Sequence, residues 1–145
     1  MPSLTITPYN ALWFSKGEAP DIAGYNTYLP ESLRTEPNLD LLILWLRDGG
    51  AESNPADAIV TMTIVGYDKL INRIVPLAVV TLVISFLGSV SGIEDVYTTT
   101  DLAAILAGYA GGSANIESLG FIFSRQIVQE DTMAEDVGFR NLRTV

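Results

Sequence analysis

The sequence contains no cysteine and no histidine among its 145 residues. Without cysteine the chain can form neither a disulfide framework nor a thiolate metal site. Without histidine it lacks the commonest general base and the commonest transition-metal ligand. A serine or threonine nucleophile would need a lysine, a carboxylate or a terminal amine as its base, and nothing resembles a nucleophile elbow. No catalytic residue and no cofactor is therefore expected, and the chain is predicted not to be an enzyme.

Positive charge is also scarce. Eight Lys and Arg residues are scattered among seventeen Asp and Glu residues, which gives a net charge of −9. Direct binding of DNA or RNA is not expected, because nucleic-acid recognition needs a basic patch or stripe. Charged residues make up 17% of the chain and hydrophobic ones 48%, against a usual charged fraction of about a quarter. Part of the apolar surface is therefore expected to lie between subunits.

Neighbouring carboxylates are the remaining feature that could catalyse a reaction or bind a metal ion. Two carboxylates can perform acid–base chemistry when their environments separate their pKa values. All the groupings lie in polar segments, where a solvated surface accounts for them, and the interleaved Asp-x-Asp-x-Asp-Gly calcium loop is absent. No metal-binding residue is therefore predicted. The groupings are Asp48 with Glu52, Glu94 with Asp95, Glu130 with Asp131, and Glu135 with Asp136.

The longest uncharged run is Ile74–Ile93. Its length is about that of the ~20 residues in a transmembrane helix, and Lys69 and Arg73 precede it, so a single-span membrane-anchored protein is one alternative. Pro76 and a Gly-Ser-rich end reduce the strongly apolar part to Leu77–Leu87, which is typical of a buried core element. β-Branched residues dominate that part and favour a strand. We therefore expect a central strand with two apolar faces, and a membrane location is not favoured.

Other stretches of the chain alternate apolar and polar residues with the period of a β-strand, most clearly Ile59–Val65. Asp101–Tyr109 is the one predicted helix, with Thr100 as its N-cap and Gly111-Gly112 at its end. These patterns predict a mainly β protein. It would be a single domain over residues 1–145, an antiparallel β-sandwich of jelly-roll or immunoglobulin-like type with one short helix near 101–109. The other predicted strands are Leu4–Thr7, Ala11–Phe14, Leu39–Leu46, Val96–Thr99 and Ser118–Val128.

Two segments show no strand period. Residues 15–38 contain Pro20, Pro30 and Pro37 together with glycines and tyrosines, which predicts an irregular segment. Residues 129–145 carry many charges and few large apolar side chains, which predicts a polar C-terminal arm. A long loop in a compact domain is usually functional or interfacial. Both segments are therefore expected to contact neighbouring subunits, and a loop wrapped over its own core is the alternative for residues 15–38.

Aromatic side chains outside the predicted core are candidates for an interface. Trp13, Phe14, Tyr25 and Tyr28 are expected at contacts between subunits, where aromatic residues are enriched. Val83 joins them because it lies on the second apolar face of the long apolar strand, which another copy of the chain would cover. A carbohydrate- or ligand-binding module that uses the tryptophan and the two tyrosines is a further alternative.

The order of these elements resembles a known class of proteins. A charge-poor strand ends in Gly49-Gly50, the alternating strand VTMTIVGYD follows, and a long apolar strand, a helix and the closing strand GFIFSRQIV come after it. Over roughly Leu39–Val128 this pattern is similar to the small β-sandwich virion proteins of tailed phages, of the head-decoration or accessory-capsid type. The resemblance implies a structural subunit without an active site, which associates with its own copies and with neighbouring capsid proteins in the virion. Met1–Thr7 shows no signal-peptide pattern, so assembly in a host cytoplasm is expected.

Overall fold

The chain folds into two antiparallel β-sheets, and the computed structural model describes residues 3–5, 11–16, 22–48, 54–88 and 92–145. The five-stranded sheet contains, in spatial order, β1 (Ser3–Thr5), β2 (Ala11–Phe14), β9 (Val137–Thr144), β4 (Asp40–Asp48) and β7 (Ile93–Asp101). The four-stranded sheet contains β3 (Ile22–Tyr28), β8 (Ile116–Arg125), β5 (Ala56–Asp68) and β6 (Arg73–Phe86). A short helix, α1 (Leu102–Ala107), and two 3-10 turns (Glu31–Leu33 and Ser113–Asn115) complete the described elements. The predicted mainly β, antiparallel sandwich with a short helix is confirmed.

The core lies between the inner faces of the two sheets. Alternate residues of each strand point inward, as the period of a half-buried strand requires. In β4 the fully buried side chains include Leu41, Ile43 and Trp45. Trp45 meets Phe123 of the opposite sheet edge to face, with ring centroids 5.6 Å apart, an arrangement that aromatic pairs favour. Both sheets therefore share one hydrophobic cluster, whose other large members include Phe14, Val60, Met62, Ile64, Leu82, Ile84, Phe86, Phe121 and Phe139.

Strand β6 contains the long apolar run of the sequence. The predicted strand is confirmed, since Leu82 and Ile84 point into the core while Val83 is exposed. Its predicted central position is wrong, because among the described strands β6 pairs with β5 alone and forms an edge of its sheet. Pro76 suits an edge, since proline donates no hydrogen bond to a strand ladder. No helix in the described part of the chain is long and apolar enough to cross a membrane, and residues 89–91 of the run lie outside that part.

The predicted helix forms, but it is shorter at both ends. Asp101, rather than Thr100, is its N-cap, because the Asp101 carboxylate accepts a hydrogen bond of 3.0 Å from the backbone N–H of Ala104. Thr100 belongs to β7. Gly108 forms the C-cap, so the helix ends before the predicted glycine pair.

The segment 15–38 is less irregular than predicted. Its residues 22–28 form β3, an edge strand that pairs with β8 along its whole length, so the prediction of irregular structure is wrong there. Tyrosine is a favourable strand residue, and Pro30 and Pro37 follow the strand instead of interrupting it. Residues 17–21 of the segment lie outside the described residues.

The C-terminal segment ends in a paired strand rather than a free arm. Strand β9 pairs with β2 on one side and with β4 on the other, so the predicted arm is wrong for these residues. Val137 and Phe139 point into the core and are buried, whereas Arg140 and Arg143 are exposed. The two arginines occupy exposed positions of the strand, and four acidic residues precede it. Together they give the segment its polar composition.

Candidate functional site: the outer faces of the two sheets

The outer face of the four-stranded sheet carries no charged side chain over the middle of its strands. The strand registers place Thr63 of β5 between Val79 of β6 and Ile122 of β8. Residues that pair directly across strands share a face, so successive rows of this kind form one surface. We call it the uncharged face. Its members are Ile59, Thr61, Thr63 and Val65 of β5, Val79, Thr81 and Val83 of β6, Gly120, Ile122 and Ser124 of β8, and Gly24 and Asn26 of β3.

Three aliphatic side chains are exposed on the uncharged face. Val79 is 69% exposed, Val83 54% and Ile122 41%. A single exposed aliphatic residue is ordinary, but a contiguous apolar group marks an interaction surface. The chain as a whole has a net charge of −9, so the lack of carboxylates is a local property of this face.

Glycine keeps the uncharged face low. A Cβ at Gly120 would lie 2.8 Å from Val65 Cγ2 and 2.9 Å from Asn26 Oδ1, so only glycine lets these two side chains approach each other over β8. With strands about 4.8 Å apart and about 3.4 Å per residue, the face measures roughly 20 Å in each direction, or about 400 Å². A standard interface takes about 800 Å² from each partner. The uncharged face alone therefore supports weak, concentration-dependent association.

The outer face of the five-stranded sheet is built differently. Trp13 of β2 lies over Gly138 of β9, where a Cβ would come within 3.0 Å of the indole ring. The indole packs with Ala11, Leu44 and Leu46, all of which are buried. These three apolar residues are thus covered by the chain itself. The exposed charged side chains of the face include Asp95 of β7 and Arg143 of β9.

Trp13, Tyr25 and Tyr28, the predicted ligand-binding aromatics, do not share one surface. Trp13 lies on the outer face of the five-stranded sheet, whereas Tyr25 packs on Phe139 of the opposite sheet with ring centroids 5.8 Å apart. Tyr28 is exposed at the end of β3, with the guanidinium of Arg34 5.7 Å from its ring centroid. The three rings therefore do not form a common stacking platform for a ligand.

Phe14 and Val83 are the other two predicted interface residues. Phe14 is fully buried in the core, because it occupies an inward-facing position of β2, so its expected exposure is wrong. Val83 is exposed as expected and lies on the uncharged face. Its contact with a second copy stays a prediction.

A buried ion pair joins the two sheets. Arg125 of β8 and Asp131 are both inaccessible to solvent, and the guanidinium donates hydrogen bonds of 2.8 and 2.9 Å to the two carboxylate oxygens. The same guanidinium donates to the carbonyl oxygens of Phe14, Met133 and Glu135. Burial raises the pKa of Asp131, but hydrogen bonds from Arg125 and from two backbone N–H groups outweigh burial and hold the pKa below its ordinary value. The pair is a structural cross-link that fastens the segment before β9 to both sheets.

Arg47 forms a second buried ionic group. Its guanidinium donates to the carbonyl oxygen of Asn54 at 2.7 Å and to Glu135 Oε1 at 3.2 Å. Glu94 lies 3.9 Å from Arg47 and accepts hydrogen bonds of 2.6 and 3.2 Å from the two backbone N–H groups that follow β6. The expectation that the paired carboxylates are solvated is therefore wrong for Glu94 and Asp131, which hold loops in place. Sequence reasoning missed this role.

Within the described ranges, no cluster of three or more acidic side chains is placed to hold a metal ion. Comparison with protein-family models gives no match, and comparison with curated protein sequences gives none either. The fold and its surfaces define an antiparallel β-sandwich with one outer face whose aliphatic side chains remain exposed. Function is therefore inferred from that face.

Proposed function

We propose that the protein is a structural subunit that self-associates through the uncharged face. The observation that carries the proposal is the contiguous exposure of Val79, Val83 and Ile122 on a charge-free surface of a strongly acidic chain. The resemblance to small β-sandwich virion proteins of tailed phages suggests where such a subunit would act. It would associate with its own copies and with neighbouring capsid proteins on a particle.

Charge favours a second copy of the chain as the partner. Two copies, each with a net charge of −9, repel each other, and the repulsion is weakest where the surfaces that meet are free of carboxylates. The uncharged face meets this condition, and the outer face of the five-stranded sheet does not, since it exposes Asp95. Two-fold symmetry is the commonest symmetry of homo-oligomers, and a two-fold axis would place the uncharged face of one copy against the same face of the other. Burial of aliphatic side chains from both copies would supply the favourable free energy.

The substitution Val83→Asp tests the proposal. In a two-fold contact it would bring two carboxylates together in a desolvated surface, and like charges so placed cost several kcal/mol. The dissociation constant of the oligomer, measured by analytical ultracentrifugation, should therefore rise by at least about 100-fold. The free energy of unfolding should change by no more than about 0.5 kcal/mol, as for other exposed positions.

Asn141→Asp is the matched control. Asn141 of β9 is exposed and pairs with Leu44 on the outer face of the five-stranded sheet. The control introduces the same charge on the opposite outer face of the sandwich, so the dissociation constant should change little. Two results would refute the proposal: a wild-type chain that stays monomeric at about 1 mM, or equal effects of the two substitutions on association.

A further inference from the structure

The turn between β5 and β6 exposes apolar and basic side chains together. Leu70 is 72% exposed, Ile71 50% and Ile74 73%. Lys69 and Arg73 flank the turn, and neither forms an ion pair with any residue that the structure describes. Several aliphatic side chains held in water are unfavourable for an isolated subunit, which indicates a contact surface. We call residues 69–74 the basic tip.

The basic tip is held in its shape by hydrogen bonds. The Asp68 carboxylate accepts from the backbone N–H groups of Leu70 at 2.9 Å and Ile71 at 3.4 Å, and from the hydroxyl of Tyr109. The hydrogen bond from Tyr109 is the main reason that the pKa of Asp68 lies below its ordinary value, so this carboxylate is ionised at neutral pH. Because the tip is already ordered, its docking on a partner would lose little conformational entropy.

A groove of complementary character lies between α1 and the chain segment just before β4. Its volume is about 410 Å³. Glu36 and Asp101 bring carboxylates to the groove, and neither forms an ion pair with a described residue. Small apolar side chains form its wall, which leaves room for larger aliphatic groups. These wall residues are Ala103, Ala104 and Ala107.

The groove and the basic tip lie at the same end of the sandwich. The backbone N–H of Lys69 donates to the carbonyl oxygen of Asn115 at 2.9 Å. Arg34, which also lines the groove, donates to the carbonyl oxygens of Leu29 at 3.0 Å and Ala114 at 3.3 Å. Its guanidinium is therefore already engaged by the chain. Residues 114–115 thus contact both features.

We propose that the basic tip of one copy docks in this groove of a second copy. The aliphatic side chains of the tip would pack against the alanines, while Lys69 and Arg73 lie beside the carboxylates of Glu36 and Asp101. Because both features lie at one end, a two-fold axis there forms the contact twice. The inference rests on the proposed self-association but uses a different surface. With two separate two-fold contacts, face to face and end to end, copies would associate beyond a dimer.

A charge-exchange experiment tests the end-to-end contact. The tip variant carries Lys69→Glu and Arg73→Glu, and the groove variant carries Glu36→Lys and Asp101→Asn, where asparagine preserves the helix cap. Both are made in the Val83→Asp chain, in which the face-to-face contact is removed. In each variant alone like charges would meet, so the dissociation constant of the remaining association should rise about 100-fold. An equimolar mixture should recover it, because tip and groove are again opposite in charge in both contacts.

The matched control for the tip variant is Arg140→Glu with Arg143→Glu. It changes the net charge by the same amount at two exposed positions of β9, so association should be nearly unchanged. Circular dichroism of every variant checks that it folds. The contact is refuted if the Val83→Asp chain is monomeric, if the mixture fails to recover association, or if the control weakens association equally. Binding of the wild-type tip to phosphatidylserine vesicles, with no effect of the tip variant on self-association, would also refute it and assign the tip to a membrane.

The outcomes separate this contact from the face-to-face contact. If the uncharged face is not an interface, Val83→Asp leaves the dissociation constant of the wild type unchanged, while the charge exchange still works. If the end-to-end contact is absent, Val83→Asp removes all association and charge reversal at the tip has no further effect. Each of the two proposals can therefore fail without the other.

Discussion

On the outer face of the five-stranded sheet, the indole of Trp13 lies over Gly138 and shields Leu44 and Leu46 from solvent. On the outer face of the four-stranded sheet, Val79 and Val83 are exposed, and no side chain of the described residues covers them. Both faces contain apolar residues on antiparallel strands. Only on the first face does the subunit itself cover the central apolar residues.

The difference teaches how an acidic subunit can associate with itself. Exposed charged side chains, Asp95 and Arg143 among them, lie on the covered face, which suits a surface in contact with water. The middle rows of the exposed face have none, and Asp57 lies at their end, so two copies can meet over these rows without bringing carboxylates together. The face whose apolar residues are covered bears charged side chains, and the face whose apolar residues are exposed lacks them in its middle rows. This combination of exposed apolar residues and missing charge, rather than apolar content alone, points to the interface.

The largest expected effect is the loss in the free energy of unfolding on Asp131→Ala, because this substitution would weaken both sheets at once. The substitution leaves the buried guanidinium of Arg125 without its carboxylate, and such a loss costs about 3–5 kcal/mol. Because this guanidinium bridges β8 and the carbonyl of Phe14 on β2, both sheets should lose support. Urea unfolding measures the free energy. Glu130→Gln, at the exposed neighbouring position, is the control and should change it by less than about 0.5 kcal/mol.

A loss of association without a loss of stability on Asp131→Ala would contradict the assigned role. The ion pair would then act at an interface instead of inside the subunit.

Trp13→Ala should have a smaller effect and one confined to the covered face. A buried tryptophan replaced by alanine costs about 3–5 kcal/mol, and Trp13 is only partly buried, so about 2 kcal/mol is expected. The dissociation constant of the folded oligomer should not change. Tyr97→Ala on the same face removes an exposed ring and should cost less than about 0.5 kcal/mol. If Trp13→Ala weakens association and leaves stability intact, the two faces have been assigned the wrong way round.

Much of the fold could be predicted because period and residue type act locally. Alternation over Ile59–Val65 and the β-branched run of β6 predict strands without knowledge of their partners. The position of β6 at an edge could not be predicted, since strand order depends on contacts between residues far apart in sequence. Strand β9 was missed because its exposed residues, Arg140, Asn141 and Arg143, are all polar and two of them are charged. Composition averaged over a segment hides such alternation.

The candidate site was predicted in part. The second apolar face of β6 follows from alternation alone, and Val83 is exposed there. Its neighbours on β8 and β3 depend on register, which the sequence does not state. The alternation of β8 indicates that Arg125 is buried, because Arg125 lies an even number of residues from the inward-facing Phe121 and Phe123. A charge at an inward-facing position predicts a buried partner.

The smallest expected effect is the pH dependence of association. The net charge of −9 at pH 7 falls in magnitude toward the isoelectric point of about 4.2, so repulsion between copies weakens. Contact through the uncharged face should therefore tighten several-fold between pH 7 and about pH 5. The subunit stays stable over this range, because the folded pKa of Asp131 lies below its ordinary value of 3.8. Its stabilisation is complete above that value and is lost only as the pH falls through the folded pKa.

Sedimentation at a series of pH values measures this effect, and Val83→Asp serves as the control for precipitation near the isoelectric point. If both chains associate equally as the pH falls, general loss of charge and not the uncharged face drives the association.

Raising the salt concentration at pH 7 should also tighten the wild-type face-to-face contact, since salt screens the repulsion between acidic copies. The end-to-end contact should respond oppositely, because there salt screens an attraction. A salt series in the Val83→Asp chain reports the end-to-end contact, and the same series in a chain with the tip substitutions alone reports the face-to-face contact. The two series together compare the two contacts.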